Sequence, residues 1–406
     1  MFHRPLKGNT KKGLQVKDER WEVSMPTNYV RYHPTNNSIH RIWVSLCRSW
    51  QLFKMRGMSR RKCSFVSGCT VITLTLLYLS GLYQYALTWS YDYYYIHWGP
   101  SDPLDFLISQ IKSGDAAKVP PVNEFQYSYT HSCKEKCEVN DNIRLMYVVK
   151  SAAQNFEKRK SIRNSWGFEN RFSDVEIRTV FLLGTLPGRP DLQEKVGKES
   201  SSHKDIIQAE FIDSYFNNTL KTMMGLHWTF HNCARVKYFF FVDDDYYVST
   251  RNVLRFLRDP VNYPQYLEKY VVQAVNEYKE DLFAGYVFRS SRPIRWIYSK
   301  WYVTLDEYPY SHWPPYVTAG SYILSRRSLE RLYFGSIYTS NFRFDDIFLG
   351  MAAKKADLKI FHHDEFYFYP RSYDTDGYKW VIASHGFDEP EKLIEVWNEQ
   401  RSAGNS

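Results

Sequence analysis

Hydrophobic residues in this chain form short continuous runs that alternate with longer segments of helical spacing. The clearest run covers residues 238–242, where aromatic and β-branched side chains indicate a strand that is buried on both faces. Strands that alternate with helices predict an α/β fold with a mainly parallel central sheet and helices on both faces. Further strands are predicted at residues 145–149, 179–183, 206–211, 282–288, 321–324 and 358–361.

A longer apolar run at residues 65–87 contains one strongly polar residue, Gln84. As a helix, this run would be about 35 Å long, which is enough to cross a bilayer. Basic residues precede the run and acidic residues follow it, so the positive-inside rule predicts a cytosolic N-terminus. A cleaved signal peptide and a buried core helix are the alternatives; the long basic region disfavours the first, and the flanking charges disfavour the second. Aromatic residues typical of a membrane interface follow the run: Trp89, Tyr91, Tyr93, Tyr94, Tyr95 and Trp98.

The chain of 406 residues has a formal net charge of +9, which is unevenly distributed. Residues 1–62 contain 14 Lys or Arg and 3 Asp or Glu, a net charge of +11, whereas the rest of the chain has −2. Because the excess lies in the tail alone, the folded part is predicted to have no nucleic-acid partner. We predict a basic cytosolic tail (1–62), a transmembrane signal-anchor helix (63–88), a luminal stem (89–140) and a globular domain (141–406).

The six cysteines do not follow a zinc-binding pattern, because no second ligand pair lies nearby. Three of them, Cys133, Cys137 and Cys233, lie on the predicted luminal side. A Cys133–Cys137 bridge, which would leave Cys233 buried and free, is one option, and the odd number leaves the pairing open. On the same side, Asn217 begins an N-glycosylation sequence, whereas a similar sequence at Asn36 lies on the cytosolic side and should stay unmodified.

Three consecutive carboxylates, Asp243, Asp244 and Asp245, follow the strand at 238–242. In open α/β sheets, ligands bind beyond the carboxyl ends of the strands, and adjacent carboxylates there repel one another unless a cation is present. Mg²⁺ and Mn²⁺ are typically held by one or two carboxylates together with substrate phosphates. The triplet therefore predicts a divalent cation that carries a phosphorylated substrate. An acidic turn capping a helix that begins near Ser249 is the alternative.

A second polar region follows the strand at 145–149. Lys150 and Ser151 come directly after that strand, and a helix with Arg159 and Arg163 follows a polar turn. The two arginines lie four residues apart and so share one helix face. Helix-start amides and guanidinium groups can form an anion site, while a solvated basic helix face is the alternative. The chain has no glycine-rich phosphate loop.

Two further acidic residues, Asp345 and Asp346, precede an apolar helical segment. They are either first-turn residues that complement the helix dipole or, for one of them, a general base. His385 is either a metal ligand or a structural residue. Before these positions lie aromatic residues suited to stacking on sugar rings or to core packing: Trp301, Tyr302, Tyr308, Trp313 and Tyr316.

Short motifs occur in a fixed order between Ile143 and roughly Arg401. They are Val149-Lys150-Ser151, Arg163-Asn164-Ser165-Trp166-Gly167, Phe181-Leu182-Leu183-Gly184, residues 213–222, Asp243-Asp244-Asp245, and Pro315 through Gly320. In this order the motifs resemble the family 31 β-1,3-glycosyltransferases, the galactosyltransferase family. Residues 241–249, 215–223, 313–320 and 342–346 are most similar to the Brainiac-type β-1,3-N-acetylglucosaminyltransferases of that family.

The resemblance implies a GT-A fold, a Golgi membrane location, a UDP-sugar donor, Mn²⁺ and a mannosyl-glucosylceramide acceptor. By position, Asp245 would coordinate Mn²⁺ with Asp243 and His385, and Asp346 would deprotonate the acceptor 3-hydroxyl in one inverting displacement. The nucleotide side would comprise Lys150, Ser151, Arg159, Arg163, Asp213, Asp243 and Asp244. The acceptor side would comprise Trp301, Trp313, Tyr316, Gly320 and Asp345.

The chain departs from the family pattern at Asp345, where many relatives carry glutamate, and in its long tail, which the family does not explain. A β-1,3-galactosyltransferase that uses UDP-galactose on glycan chains is the alternative within the family. A membrane-tethered glycan-binding protein without catalytic activity is the alternative from another class, and it would not need the complete acidic set. The donor sugar, the acceptor and the formation of a homodimer stay open.

Overall fold

The structure is a computed structural model that describes residues 60–91, 103–138, 142–268 and 280–406. The chain divides into two compact units, Met1–Leu74 and Thr75–Ser406. Nearly all of the predicted basic tail and four of the interfacial aromatic residues, Tyr93, Tyr94, Tyr95 and Trp98, lie outside the described residues.

The apolar run predicted as one helix at 65–87 is divided between two helices. Helix α1 covers Arg60–Leu79, and α2 covers Leu82–Ala86. Gly81 between them has a φ of 79°, a left-handed conformation that favours glycine, and it interrupts the helix. Among the residues that the structure describes, no helix is long and apolar enough to cross a membrane. The predicted membrane span therefore stays a prediction.

The remaining elements belong to the second unit. The other helices are α3 Leu104–Ser113, α4 Glu135–Glu138, α5 Phe156–Arg163, α6 Pro190–His203, α7 Asn218–Asn232, α8 Thr250–Arg258, α9 Arg326–Ile337, α10 Asp345–Lys355 and α11 Pro390–Ser402. The strands are β1 Tyr129–His131, β2 Ile143–Lys150, β3 Glu176–Thr185, β4 Ile206–Ile212, β5 Tyr238–Asp243, β6 Tyr246–Val248, β7 Phe283–Phe288, β8 Tyr316–Ser325, β9 Phe361–His362, β10 Phe366–Tyr367 and β11 Ala383–His385.

An eight-stranded sheet in the order β1-β4-β3-β2-β5-β8-β7-β9 forms the centre of this unit, and a small sheet has the order β10-β11-β6. Four of the seven pairings in the large sheet are parallel, so the sheet is mixed rather than mainly parallel. Strand β8 runs antiparallel between β5 and β7. The unit is therefore a mixed α/β fold in which one strand of the central sheet is reversed.

Six of the seven predicted strands are confirmed, as β2, β3, β4, β5, β7 and β8. The strand at 358–361 is wrong for most of its length, because only Phe361 belongs to a strand, the two-residue β9. Burial on both faces is also confirmed. Alternate residues of β5 lie in different core clusters: Phe240 and Val242 pack on one face, and Phe239 and Phe241 on the other.

A disulfide joins Cys137 in α4 to Cys233 at the end of α7, with a Cα–Cα distance of 5.1 Å. The predicted option of a Cys133–Cys137 bridge with a free Cys233 is therefore wrong. Cys133 is the buried free thiol instead. The two bonded residues are 96 positions apart, and packing of α4 beside α7, which sequence spacing does not reveal, brings them together.

This disulfide should contribute measurably to stability. We expect Cys233→Ala to lower the free energy of unfolding by roughly 2–4 kcal/mol, because a loop of this length constrains the unfolded chain. Guanidinium unfolding under oxidising conditions measures the change. Cys133→Ala is the matched control and should cost about 1 kcal/mol. Under reducing conditions, the wild type and Cys233→Ala should have similar unfolding midpoints. A large effect of Cys133→Ala that disappears on reduction would contradict the Cys137–Cys233 pairing.

Candidate active site

The site is built at the carboxyl ends of two neighbouring parallel strands. Lys150 ends β2 and is paired in register with Asp243 at the end of β5. The Lys150 ammonium lies 3.0 Å from Asp243 Oδ1 and 2.8 Å from Asp345 Oδ2, at the start of α10. Only 5% of Lys150 is exposed. Burial alone would lower the pKa of Lys150, but the two carboxylates outweigh that effect and hold it well above its usual value.

Asp244 is held by the turn that follows β2. Its Oδ2 accepts hydrogen bonds from Ser151 Oγ at 2.6 Å and from Asn155 Nδ2 at 2.9 Å. The Lys158 ammonium lies 3.6 Å from the same carboxylate. Because its oxygens face inward to these partners, Asp244 ties the acidic triplet to the strand-turn-helix segment of β2 and α5.

The third carboxylate, Asp245, pairs with His385. The following strand β6 runs antiparallel to β11, which ends at His385. The backbone amides of Gly386 and Phe387 donate to the Asp245 carbonyl at 3.2 and 2.9 Å. These bonds place His385 Nε2 3.2 Å from Asp245 Oδ2. The predicted alternative, in which the triplet caps a helix, does not apply, because the Ser249 hydroxyl caps α8 by accepting from the Asn252 amide.

Hydrogen bonding to Asp245 raises the pKa of His385. For Asp245 itself, burial favours a higher pKa, but hydrogen bonding to His385 and the charges of His385 and Lys158 lower it. Asp243 differs: burial raises its pKa to about 7, with Lys150 opposing and Asp245 adding to the rise. The three adjacent carboxylates thus occupy three different electrostatic environments.

Two buried atoms at this place have no hydrogen-bond partner, Asp245 Oδ1 and His385 Nδ1. Unsatisfied buried polar atoms are costly and favour a ligand that completes them. No cluster of three or more His, Cys, Asp or Glu that could hold a metal occurs within the described ranges. A carboxylate and an imidazole supplemented by diphosphate oxygens would suit Mn²⁺ or Mg²⁺, so the residues fit a cation that arrives with a nucleotide. Asp243, predicted as a further ligand, pairs with Lys150 here.

Asp346 occupies the first turn of α10, beside the residue that Lys150 contacts. Its Oδ1 accepts the Ile347 amide at 2.8 Å. Burial, followed by the charge of Asp345, raises the pKa of Asp346 to about 7. A carboxylate with such a pKa is suited to general-base catalysis at neutral pH. Asp345 also accepts from Thr222 Oγ1 at 3.3 Å.

The two arginines predicted to hold phosphate are engaged by carboxylates in this structure. Arg159 is fully buried, 2.7 Å from Glu199, and donates to the Ala152 carbonyl. Arg163 lies 2.8 Å from Glu199 and 2.7 Å from Asp205. The solvated-face alternative does not describe them, since both are largely buried. Their role in nucleotide binding stays a prediction.

Asp213, also predicted on the nucleotide side, forms a buried ion pair with Lys221. The two charged groups are 2.7 Å apart, and 5% of each side chain is exposed. Lys221 also donates to the Ser151 carbonyl at 2.6 Å, and Asp213 accepts the Gly184 amide at 3.1 Å. This pair therefore supports the backbone beneath Ser151.

The predicted acceptor-side residues divide between core and surface. Trp313 is buried, with its ring centroid 4.1 Å from that of Tyr308, and Tyr316 is buried at the start of β8. Trp301 is 47% exposed. Gly320 has a packing role, because an added Cβ would overlap the hydroxyl of Tyr246. The ring of Tyr246 in turn contacts the imidazole of His385.

The predicted glycosylation site is tightly packed. The Asn217 amide donates to the Ile212 carbonyl at 2.8 Å. The hydroxyl of Thr219, which completes the sequence, is buried and donates to the Phe342 carbonyl at 2.6 Å. Modification of Asn217 would therefore have to precede folding or displace the first of these bonds.

Sequence reasoning missed four residues that hold the site together: Asn155, Lys158, Lys221 and Tyr246. Each is bound to one of the acidic residues or to its histidine partner. A usable signal existed for Asn155 and Lys158, because both lie in the polar turn and helix after β2. Lys221 and Asp213 both lie in the motif at residues 213–222, only eight positions apart, but nothing in the sequence indicated that they form an ion pair.

Comparison with known proteins gives concordant matches. A family model described as Galactosyltransferase matches residues 157–364. The chain is 46% identical over 292 residues to beta-1,3-galactosyltransferase brn of Drosophila melanogaster, across 72% of this chain and 85% of that protein. It is 33% identical over 282 residues to mouse beta-1,3-galactosyltransferase 1, covering 70% and 81%. It is likewise 33% identical to human lactosylceramide 1,3-N-acetyl-beta-D-glucosaminyltransferase, covering 67% and 69%.

The Lys221–Asp213 pair predicts a large loss of stability when one partner is removed. We expect Lys221→Met to lower the free energy of unfolding by roughly 3–5 kcal/mol, because Asp213 would remain as a buried, unpaired charge. Denaturant unfolding measures the change, with Lys198→Met as the matched control. The Lys198–Glu194 pair is exposed, so its loss should cost about 0–1 kcal/mol. Equal effects of the two substitutions would show that the buried pair has no special importance.

Proposed function

The chain belongs to the galactosyltransferase family and is a UDP-sugar-dependent glycosyltransferase, and from this premise we propose the reaction that its site performs. The proposal is inverting β-1,3 transfer of a hexose from a UDP-sugar to the 3-hydroxyl of a glycan acceptor. The observation that carries it is that two unlike carboxylates, Asp245 and Asp346, lie within two residues of the two aspartates that Lys150 binds. Asp245 pairs with His385, while Asp346 has a pKa of about 7.

Each group has one task in the proposed reaction. Asp245 and His385 would hold Mn²⁺, which supplies Lewis-acid stabilisation of the charge on the departing UDP. Asp346 accepts the proton of the acceptor 3-hydroxyl as that oxygen attacks the anomeric carbon. The bond to the UDP oxygen breaks in the same displacement, so an α-linked donor gives a β product without a covalent sugar–enzyme intermediate. Lys150 keeps Asp345 and Asp243 in place through its two ion pairs.

The proposed donor is UDP-GlcNAc, and the proposed acceptor is a glycosphingolipid of the mannosyl-glucosylceramide type. Motif similarity to the Brainiac-type enzymes supports this choice, and the name of the human relative describes GlcNAc transfer to a glycolipid. UDP-galactose is the alternative, which the names of the Drosophila and mouse relatives favour. Linkage analysis after incubation with both donors and a panel of glycolipid acceptors distinguishes the two.

We also propose a single-pass type II arrangement in the Golgi membrane, with residues 63–88 as the membrane anchor and residues 89–406 luminal. The charge asymmetry around residues 65–87 supports this orientation. The Cys137–Cys233 disulfide suits an oxidising compartment.

Substitution at the two carboxylates should separate chemistry from donor binding. Asp346→Asn should abolish transfer, because the amide cannot accept the proton, while UDP-sugar affinity stays close to wild type. Asp245→Ala should lose the Mn²⁺-dependent part of UDP binding. Isothermal titration with UDP, with and without EDTA, and a transfer assay measure both effects. Near-normal turnover by Asp346→Asn would refute its role as the base.

The rate should depend on pH through Asp346. Because the base must be deprotonated, we expect kcat to fall as the pH drops below about 7 and to level off above it. Asp243 titrates in the same range, so the UDP affinity is measured at each pH as a control. A fall in kcat at saturating donor with unchanged UDP affinity supports the assignment. A flat kcat profile between pH 5.5 and 8, an interval of about one unit or more on each side of the pKa, would contradict it.

A further inference from the structure

The short helix α2 and the residues after it pack against a long loop at residues 293–311, here called the platform loop. Gln84 Nε2 donates to the Tyr302 hydroxyl at 3.2 Å, and the Tyr85 hydroxyl donates to the Pro293 carbonyl at 2.9 Å. The Trp89 amide donates to the Pro309 carbonyl at 2.9 Å. The end of the apolar run, from Leu82 onward, and the residues directly after it are therefore a fixed part of the globular unit.

A single buried arginine fixes the shape of the platform loop. Arg295 is fully buried, and its guanidinium donates to four backbone carbonyls within the loop. Such a network holds the loop in one conformation. The side chains that it displays are thus presented on a rigid frame. The four carbonyls belong to Val303, Thr304, Tyr308 and Tyr310.

Large hydrophobic side chains are exposed around this frame. Tyr298 is 69% exposed and Trp296 is 51% exposed. The Lys300 amine lies 4.3 Å from the Trp301 ring centroid and 6.0 Å from that of Tyr215. This contact connects the segment that contains Tyr215 to the platform loop. Exposed clusters of this kind mark interaction sites. We define the aromatic surface as Leu82, Tyr83, Leu87, Tyr215, Phe216, Ile294, Trp296, Tyr298, Lys300 and Trp301.

We propose that the aromatic surface binds the interfacial region of a phospholipid bilayer. Tryptophan and tyrosine prefer that region, and lysine extends its amine toward the headgroups. Residues 81–91 contain no charged side chain, and 291–303 contain Arg and Lys but no Asp or Glu, so these two stretches do not repel lipid phosphates. Asp306 and Glu307 lie farther along the platform loop, outside the aromatic surface, and Arg343 contacts Glu307 there. The surface also begins directly after α1, whose last turn exposes Leu76 and Tyr78.

The platform loop connects this surface to the catalytic base. Arg343, which lies two residues before α10 begins, donates a hydrogen bond to the Tyr302 carbonyl. Val303 of the loop shares a hydrophobic cluster with Phe344 and Ile347, which flank Asp345 and Asp346. Contact of the aromatic surface with a bilayer would therefore hold Asp346 at a fixed height above the lipid. This inference rests on the proposed transferase function and deepens it, because it favours an acceptor embedded in the membrane.

The test compares one acceptor sugar in two physical forms. Full-length protein is reconstituted in phosphatidylcholine vesicles that contain the glycolipid acceptor, and it is also assayed with the same glycan as a water-soluble methyl glycoside. We expect the double variant Trp296→Glu/Tyr298→Glu to reduce transfer to the embedded acceptor by about tenfold, which corresponds to about 1.4 kcal/mol. Transfer to the soluble glycoside should stay within about twofold of wild type, a difference of well under 1 kcal/mol.

Phe168→Glu is the matched control, since Phe168 is 48% exposed and lies outside the aromatic surface; it should affect neither reaction. Thermal unfolding confirms that the variants fold. An equal loss with both acceptors would overturn the proposal and would indicate that the surface binds the acceptor sugar directly. No loss with either acceptor would also overturn it and would favour a protein as the partner of this surface. Failure of the wild type with both acceptors would instead refute the transferase function.

Discussion

The arrangement of the site depends on one buried cation, the Lys150 ammonium. It contacts carboxylates from two elements that are far apart in sequence, Asp243 at the end of β5 and Asp345 at the start of α10. A buried lysine without these partners would be strongly destabilising, and so would either carboxylate without the lysine. The strand ends and the α10 terminus are therefore fixed relative to one another before any substrate binds. Since Lys150 pairs with Asp345 rather than Asp346, the neighbouring carboxylate keeps the raised pKa that a base requires.

The acidic triplet shows how adjacent like charges are tolerated at a sheet edge. The three aspartates have different partners: the Lys150 ammonium for Asp243, neutral donors and the Lys158 ammonium for Asp244, and an imidazole for Asp245. Repulsion is thus relieved by separate contacts, to which Lys158 adds a charge felt by both Asp244 and Asp245. One consequence is that only Asp245, together with His385, keeps buried atoms without a partner. In the proposed reaction, cation binding by the triplet would therefore centre on its last residue.

Much of this arrangement was predictable from local sequence patterns. Continuous apolar runs located six strands of the central sheet, and the run at 238–242 placed the triplet at its edge. Several predictions that failed or stay unsupported, though not the strand at 358–361 or the membrane span, depended on partners distant in sequence. Cys137 forms a disulfide with Cys233, and Arg159 forms an ion pair with Glu199, 40 residues away. The reversal of β8 also escaped prediction, because an apolar strand has the same hydrophobic pattern in either direction.

The ion pairs and the aromatic surface are connected by a short structural route. Arg343 joins the platform loop to the residues before α10, and Lys150 joins the first turn of α10 to β2 and β5. Arg295 makes the loop rigid at its other end. Because both ends of this route are buried and hydrogen-bonded, a displacement of the loop would have to move Asp345 and Asp346 as well. The position of the proposed base is therefore set from two sides, by the carboxyl ends of β2 and β5 and by the platform loop.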